Sequence, residues 1–263
     1  MPIIFAIANQ KGGVGKTTTT LQFAFTLARK KKRVLVVDMD PQGNSSTRVC
    51  GHGPKPGDFD YGNTTMTYQL FNPDLEEVRV YKDGPYSNIH LLPTSKNCPK
   101  LSNIEELKAG AMLIPKSHIA KIADQYDYIL IDCPPALGKK LMAALAMATH
   151  VLSPIKLSSF AVEGLEGLLK SINATKKAFN PALKIAGIFV NEFNRDSAEH
   201  KKALEKVHAM VPPQYMIKRK LMNRPPIDTS VTQGKPIWEN RYGHVAAKEM
   251  DLLFQEVIKK VRS

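Results

Sequence analysis

A glycine-rich turn near the start of the chain decides the fold prediction: Gln10-Lys11-Gly12-Gly13-Val14-Gly15-Lys16-Thr17-Thr18. The apolar residues 3–8 before it are typical of a buried strand, and the apolar spacing in residues 17–29 after it predicts a helix. In this setting the N–H groups of the turn and the positive end of the helix dipole face the same point, where a polyphosphate can bind. The stretch therefore predicts an α/β nucleotide-binding fold.

The residue types in the turn suggest separate roles. Lys16 is expected to reach the β- and γ-phosphates of a nucleotide, and Thr17 to place its hydroxyl on Mg²⁺. Other backbone contacts to the phosphates are expected from Gly12, Gly13, Val14, Gly15 and Thr18. The pattern departs from the usual G-x-x-x-x-G-K-[ST] loop, because Gln10 occupies the first glycine position and a second lysine, Lys11, follows it.

Carboxylates follow two further apolar runs. Residues 34–38 are typical of a buried strand that ends in Asp38, and residues 128–132 form a similar run that ends in Asp132. Parallel sheets collect such strand ends at one edge, where ligands bind. Asp132 is expected to hold the magnesium directly or through a water, and Asp38 to sit in the outer shell of the metal or to hold Thr17. The alternative is that these aspartates only form turns.

The rest of the chain alternates between strand and helix patterns. Further strands are predicted at residues 89–93, 150–154, 184–191 and, as a short edge strand, 215–221. Helices are predicted at residues 67–71, 104–114, 141–148, 161–179, 198–210 and 246–261, and a flexible loop at 51–64. We therefore expect a doubly wound, mostly parallel sheet with helices on both faces, built as one domain over residues 1–263.

The charge of the chain predicts a polyanionic partner. The net charge is +13, and basic residues are concentrated in the last third of the sequence. A surplus of this size favours DNA, RNA or an anionic membrane surface, although it is also compatible with a solvated face that only aids solubility. The three cysteines are far apart, which indicates neither a disulfide framework nor a zinc site and fits a reducing cytosol. The sequence predicts neither a signal peptide nor a membrane span.

Several motifs together carry a family resemblance. Lys11-Gly12-Gly13 followed by Gly15-Lys16-Thr17 forms a deviant Walker A loop, residues 36–44 and 131–135 resemble two further motifs, and residues 234–239 resemble a C-terminal one. With these stretches the chain resembles the ParA/MinD family of ATPases, closest to the ParA-type partition ATPases. The resemblance covers nearly the whole chain. It implies Mg²⁺-dependent hydrolysis of ATP to ADP and phosphate by a homodimer that sandwiches the nucleotide.

The resemblance also implies roles for individual residues. Lys11 would cross the dimer interface and touch the phosphates of the partner's ATP, and Asp40 would position the attacking water, so that Lys11, Lys16 and Asp40 act in catalysis. Asn191, at the end of its strand, would contact the adenine base, or it would be only a strand-end turn residue. Non-specific DNA binding would use C-terminal basic residues. The candidates are Lys218, Arg219 and Lys220, with Arg195 and Arg241 in addition.

The same resemblance implies a setting in the cell. A ParB-type centromere-binding protein or a cargo adaptor would stimulate the otherwise slow hydrolysis, and the ATPase would be cytoplasmic and associated with the nucleoid. The cargo itself, a plasmid, a chromosome or a protein assembly, is not specified by the sequence.

Two other classes of function remain as alternatives. A MinD-like ATPase would act at a membrane through a basic amphipathic C-terminal helix, and residues 246–261 do carry an apolar stripe. We expect no stable membrane binding, because a helix docked on the sheet explains the stripe and the polar face mixes acidic with basic residues. A metabolic P-loop enzyme would need an acceptor pocket, and it would leave Lys11 and the basic last third without a role. Iron–sulfur carriers are disfavoured, because no paired cysteines occur.

Overall fold

The computed structural model describes residues 1–50, 61–158 and 161–262. Within these residues one sheet holds six strands, all parallel, in the order β3-β2-β4-β1-β5-β6. The strands are β1 (Ile3–Ile7), β2 (Val34–Asp38), β3 (Ile89–Leu92), β4 (Tyr128–Asp132), β5 (His150–Lys156) and β6 (Lys184–Asn191). The predicted parallel α/β fold is therefore confirmed. The predicted loop at 51–64 lies largely outside the described residues.

Helices cover both faces of this sheet. They are α1 (Lys16–Arg29), α2 (Asn44–Val49), α3 (Pro99–Ser102), α4 (Ile114–Ile122), α5 (Lys139–Met147), α6 (Ala161–Ala178), α7 (Ala198–Met210), α8 (Pro225–Thr232) and α9 (His244–Arg262). Strand residues alternate between the two faces, as the pleat requires. Phe5 and Ile7 pack in one cluster with α1, α8 and α9, whereas Ala6 packs in the other with α4, α5, α6 and α7.

The apolar stripe of α9 is buried in the first of these clusters. Met250, Leu253 and Val257 are at most 1% exposed, and the ring of Phe254 stacks on Phe23 of α1 with 4.4 Å between centroids. Burial of this kind is the main stabilising contribution of an amphipathic helix. In the described part of the chain, no helix has the length and apolar character needed to cross a bilayer.

The predicted helix over residues 104–114 is wrong in its extent. The segment forms two short 3₁₀ turns, Asn103–Glu106 and Ala109–Leu113, and a regular helix begins only with α4. Pro115 explains the start of α4, since proline fits the first turn of a helix and not its interior. The carboxylate of Glu105 explains the break, because it leaves its own segment to accept a hydrogen bond from the N–H of Lys139, at 2.7 Å, at the start of α5.

The predicted edge strand at residues 215–221 is also wrong. The segment lies beside β6 and donates from Ile217 N to the carbonyl of Ile188 and from Leu221 N to that of Val190, both at 2.9 Å. The N–H of Lys218, however, donates to Glu256 of α9 at 2.9 Å. The backbone therefore divides its hydrogen bonds between a strand and a helix, which prevents a regular ladder.

Candidate functional site

The glycine turn places the start of α1 so that an anion can reach it. Gly15 precedes the helix with φ of 95° and without a side-chain cap, and the first turn, which is fully described, holds no acidic residue. The N–H groups of the first turn therefore lack the side-chain acceptor that most helices supply. Together with the helix dipole, they form a binding site for phosphate. Thr17 and Thr18 lie in this first turn, as the sequence predicts.

The two lysines of the turn differ in their surroundings. Lys16 is 6% exposed, and its ammonium donates to the carbonyl of Lys11 at 2.9 Å. Burial lowers the pKa of Lys16, and the nearby Asp132 opposes this effect. The ammonium of Lys11 donates to the hydroxyl of Ser158 at 2.9 Å, and its backbone N–H donates to Asn9 at 2.9 Å. Lys11 is thus held against the end of β5, a contact that the sequence does not reveal.

Asp132 and Asp38 lie opposite one another on adjacent strands, β4 and β2, and both are fully buried. Asp132 accepts hydrogen bonds from the hydroxyls of Thr17 at 2.8 Å and Ser45 at 2.6 Å. Burial raises the pKa of Asp132 to about 6, against the lowering effect of these two hydrogen bonds. A carboxylate and a hydroxyl that already touch across the mouth of the glycine turn are ligands of the type that Mg²⁺ prefers.

Asp38 has partners other than the one considered from the sequence. It accepts from the N–H of Ser46 at 2.8 Å and its hydroxyl at 2.6 Å, and from the N–H of Asp40 at 3.2 Å. The Thr17 hydroxyl is held by Asp132, so the alternative in which Asp38 holds Thr17 is replaced by this arrangement. Burial raises the pKa of Asp38 well above its usual range, and the neighbouring Asp132 adds to the rise.

Asp40 lies on the same loop and remains close to the surface of the site. It is 9% exposed, and one of its oxygens accepts from the N–H of Gln42 at 3.0 Å. This hydrogen bond fixes the carboxylate near Lys16 and Asp132, where a group that positions water is expected.

Sequence analysis missed the serines of α2 as members of the site. Ser45 and Ser46 are both fully buried, one beside Asp132 and the other beside Asp38. The available signal was the Ser45-Ser46 pair directly after the second motif, which ends in Gly43-Asn44. In the structure Gly43 has φ of 63° and starts a short helix there. The helix aims its first-turn serines at the strand ends, so it supplies the hydrogen-bond donors that two buried carboxylates require.

Asn191 supports the phosphate loop in the structure. Its side chain is 6% exposed, and its amide nitrogen donates to the carbonyl of Val14 at 3.0 Å. The amide nitrogen of Asn191, which was predicted to contact adenine, is therefore hydrogen-bonded to the loop in this structure. Asn191 thus connects the end of β6 to the glycine turn, 177 residues earlier in the sequence.

Basic side chains gather at a second place, a groove of about 710 Å³ between the 218–222 segment and α9. We call it the basic groove. It is lined by Arg195, Lys218, Arg219, Lys220 and Lys248, together with Phe193, Met222, Val245, Leu252, Glu249 and Glu256. Four of the five predicted DNA-binding residues meet here. Arg241 does not line the groove within the described residues; its guanidinium lies over the ring of Tyr242, 5.6 Å from the centroid.

Two glutamates of α9 hold residues 218–224, the basic segment, against the helix. Glu256 accepts from the N–H of Lys218 and lies 3.7 Å from the guanidinium of Arg219. Glu249 accepts from both sides of the Arg224 guanidinium, at 2.6 and 3.1 Å. Each glutamate therefore fixes one end of the segment and leaves Lys218 and Lys220 on the groove.

The donor set at the glycine turn fits a nucleotide–magnesium complex. Among the described residues, no group of three or more His, Cys, Asp and Glu side chains is arranged to hold a metal by itself. Mg²⁺ commonly takes one or two protein oxygens and completes its coordination with phosphate and water. Thr17 and Asp132 would supply these oxygens, with Asp38 behind them.

Comparison with known proteins places this site in a family. The model of the AAA domain family matches residues 2–185. The chromosome-partitioning ATPase Soj of Thermus thermophilus is 37% identical over 190 residues, which cover 72% of this chain and 69% of Soj. The chain belongs to the ParA/MinD family of ATPases. It is a positioning ATPase, and ATP with Mg²⁺ is its nucleotide and metal.

Solved structures share the fold of this chain. The structure of apo McdA from Cyanothece has a TM-score of 0.83 at 24% identity, over 99% of this chain and 100% of McdA, which shows the shared fold. Cobyrinic acid a,c-diamide synthase from Mycobacterium smegmatis, solved with ADP and magnesium, has a TM-score of 0.76 at 25% identity, over 100% of this chain and 96% of that one.

Gly15 gives a direct test of the loop geometry in this ParA/MinD-type ATPase. A β-carbon at Gly15 would lie 2.4 Å from the amide nitrogen of Asn191, in a left-handed backbone conformation. We expect Gly15→Ala to weaken ATP binding by about 10-fold or more, because an L-residue pays about 1–2 kcal/mol in this conformation before the collision is counted. Titration with a fluorescent ATP analogue measures the effect. Gly110→Ala, where nothing lies within 4 Å, is the control and should bind normally; wild-type affinity in Gly15→Ala would contradict the prediction.

Proposed function

We propose that this ATPase forms an ATP-dependent homodimer that binds DNA without sequence preference and positions or segregates it, with hydrolysis stimulated by a partner protein. The observation that carries the proposal is the basic groove. Four side chains predicted from the sequence to contact DNA line one surface: the consecutive Lys218, Arg219 and Lys220, and Arg195 from a second segment after β6.

The nucleotide site supports the ATP-dependent part of the proposal. Lys16 would neutralise charge on the β- and γ-phosphates, and the N–H groups of Gly12 to Thr18 would hold their oxygens. Asp40 would orient the attacking water. Thr17 and Asp132 would hold Mg²⁺, which would neutralise charge at the phosphates. Phosphoryl transfer depends mainly on positioning and electrostatics, so preformed donors of this kind suffice for slow hydrolysis.

The second lysine supports dimerisation. The ammonium of Lys11 donates to Ser158, a hydroxyl that lies outside the glycine turn. In the sandwich dimer that the family resemblance implies, it would touch the ATP of the other subunit. A charge supplied in trans ties the association of two subunits to the γ-phosphate.

The composition of the basic groove supports DNA as the polyanion. Five cations surround it, and four of them, Arg195, Lys218, Arg219 and Lys248, are exposed. Phosphate contacts of lysine and arginine carry no sequence information, which fits non-specific binding. The buried stripe of α9 leaves few apolar side chains for a lipid surface, so we propose no stable membrane binding.

The setting of the protein follows from these proposals. Residues 1–263 would act as one domain. The support is that the described strands form a single sheet and that each of the nine described helices contributes buried residues to one of the two core clusters. The ATPase would be cytoplasmic and associated with the nucleoid. A ParB-type protein or a cargo adaptor would stimulate hydrolysis and release the DNA-bound state.

Replacing Lys218, Arg219 and Lys220 together by alanine tests the DNA surface. We expect affinity for a random-sequence duplex in the presence of ATP to fall by about 100-fold at low salt, since each subunit then lacks three cations that bind phosphate. Fluorescence anisotropy over a salt series measures both the affinity and the slope of its logarithm against log salt. That slope should shrink by about 0.9 for each phosphate that is no longer neutralised.

The matched control removes the same charge elsewhere. Lys201, Lys202 and Lys206 are exposed on α7 and do not line the basic groove. Their replacement by alanine should weaken DNA binding by less than about threefold. Equal losses in the two triple variants would show that net charge, and not the groove, attracts DNA. Wild-type binding that is equal with ATP and ADP would contradict the proposed function itself.

A further inference from the structure

Three residues at the end of β6 connect the phosphate loop to the basic groove. Asn191 donates its side-chain amide to the carbonyl of Val14 in the glycine turn, at 3.0 Å. Phe193 lines the groove, and its backbone pairs with the basic segment: its N–H donates to Leu221 at 2.8 Å, and its carbonyl accepts from Asn223 at 3.3 Å. A single residue, Glu192, separates the two contacts.

Glu192 has an unusual backbone conformation. Its φ is 53°, in the left-handed region that glycine adopts readily and that an L-residue with a long side chain rarely enters. Such conformations persist only where the surroundings hold them, and they are concentrated at functional and switching segments. Here the bend turns the chain from the strand that supports the phosphate loop into the loop that lines the groove.

A second connection reaches the same residue from Lys11. The carboxylate of Glu192 forms an ion pair with Lys156, the last residue of β5. Two residues later, the hydroxyl of Ser158 accepts the hydrogen bond from the Lys11 ammonium. Glu192 is therefore joined to the glycine turn through Asn191 and to Lys11 through the end of β5.

We propose that Glu192 is a positioning residue that transmits the state of the phosphate loop and of Lys11 to the basic groove. The inference rests on the proposed function in that the groove is taken as the DNA surface. When bound phosphates accept hydrogen bonds from the N–H groups of the loop, the Val14 carbonyl shifts, and the Asn191 amide that donates to it moves as well. Because the left-handed backbone of Glu192 has few other conformations open to it, the shift is passed on to Phe193. From Phe193 it reaches Leu221 and Asn223, to which the Phe193 backbone is hydrogen-bonded.

The ion pair makes the proposal testable without unfolding the protein. The side chains of Lys156 and Glu192 are 47% and 27% exposed, and ion pairs with this much solvent contribute little to stability. Glu192→Gly removes the carboxylate and allows the backbone to move freely through the bend. Lys31→Gly is the matched control, because Lys31 has φ of 57° in the turn after α1, away from both connections.

Hydrogen exchange of the backbone amides of residues 217–224 is the main readout, with and without ATP and Mg²⁺ at concentrations that saturate each variant. We expect ATP to slow exchange in this segment by several-fold in the wild type and in Lys31→Gly, and to leave it nearly unchanged in Glu192→Gly. The ratio of DNA affinities with ATP and with ADP should fall toward one in Glu192→Gly only. An ATP response in Glu192→Gly equal to that of the wild type, or its absence from the wild type, would overturn the proposal.

The two proposals fail in different measurements. A wild-type protein whose 217–224 amides respond to ATP but whose DNA affinity does not depend on the nucleotide removes the proposed function and supports the coupling. A wild-type protein that binds DNA only with ATP, with amides in this segment that ignore ATP, removes the coupling and keeps the proposed function.

Discussion

Replacing Asp132 with asparagine should reduce ATP hydrolysis by about 100-fold or more, because the substitution removes a charge that the nucleotide–magnesium complex requires. Asp132 is fully buried and accepts hydrogen bonds from Thr17 and Ser45, which places its carboxylate beside the hydroxyl that would bind the metal. Asparagine has nearly the same shape, and because the Thr17 and Ser45 hydroxyls donate to the same oxygen, Oδ2, the amide oxygen of asparagine can accept both hydrogen bonds. The substitution therefore removes the negative charge while keeping these contacts, and the binding of Mg²⁺ should weaken.

The same substitution should not lower the stability of the unliganded protein. Burial raises the pKa of Asp132 to about 6, which means that above this pH the ionised carboxylate is less favourable in the folded state than in the unfolded chain. An asparagine side chain does not ionise, and the substitution would also remove the like charge that faces Asp38. The melting temperature at pH 7.5 without nucleotide should therefore stay equal or rise while activity is lost.

Two measurements check this combination. Phosphate release gives the rate, and thermal melts with and without ATP and Mg²⁺ give stability and binding. The wild type should gain stability on adding both ligands, and Asp132→Asn should gain little. Asp124→Asn, an exposed aspartate just before β4, is the control and should behave as the wild type in both assays. An Asp132→Asn variant that hydrolyses ATP at the wild-type rate would exclude Asp132 from the site.

The nucleotide site was readable from the sequence because its parts are local. A glycine pattern between a strand and a helix, and aspartates at the ends of apolar runs, each depend on neighbours within about ten residues. Their meeting point follows from a general property of parallel sheets, which bring strand ends to one edge. Asp38 and Asp132 are accordingly opposite one another in register.

The remaining features depend on contacts across the fold and left no local pattern. Asn191 reaches Val14 over 177 residues, and its amide could equally have faced a ligand. The segment at 215–221 has strand-like composition, but Glu256 of α9 accepts the hydrogen bond from the backbone N–H of Lys218. Net charge predicted a polyanion and could not predict that Arg195 would join Lys218 while Arg241 would not.

Lys11→Ala should abolish ATP-dependent dimerisation while preserving much of the affinity of the monomer for ATP. The backbone of residue 11 holds the loop: its carbonyl accepts from Lys16 and its N–H donates to Asn9, both at 2.9 Å, and alanine retains both contacts. The side chain would be removed from both copies of a two-fold interface. Truncation of one partner of a buried charge pair costs about 2–5 kcal/mol, so two such truncations should weaken the dimer by at least about 10³-fold.

Light scattering coupled to gel filtration, with ATP and with ADP, measures the dimer, and titration with a fluorescent ATP analogue measures monomer affinity. Ser158→Ala is the informative companion, because it removes one internal partner of the ammonium and keeps the charge. If Lys11 acts across the interface, Ser158→Ala should dimerise on ATP at least as well as the wild type, since the lysine is then freer to leave its own subunit. If Lys11→Ala still dimerises normally on ATP, Lys11 serves only its own loop, and the γ-phosphate must be sensed by other residues.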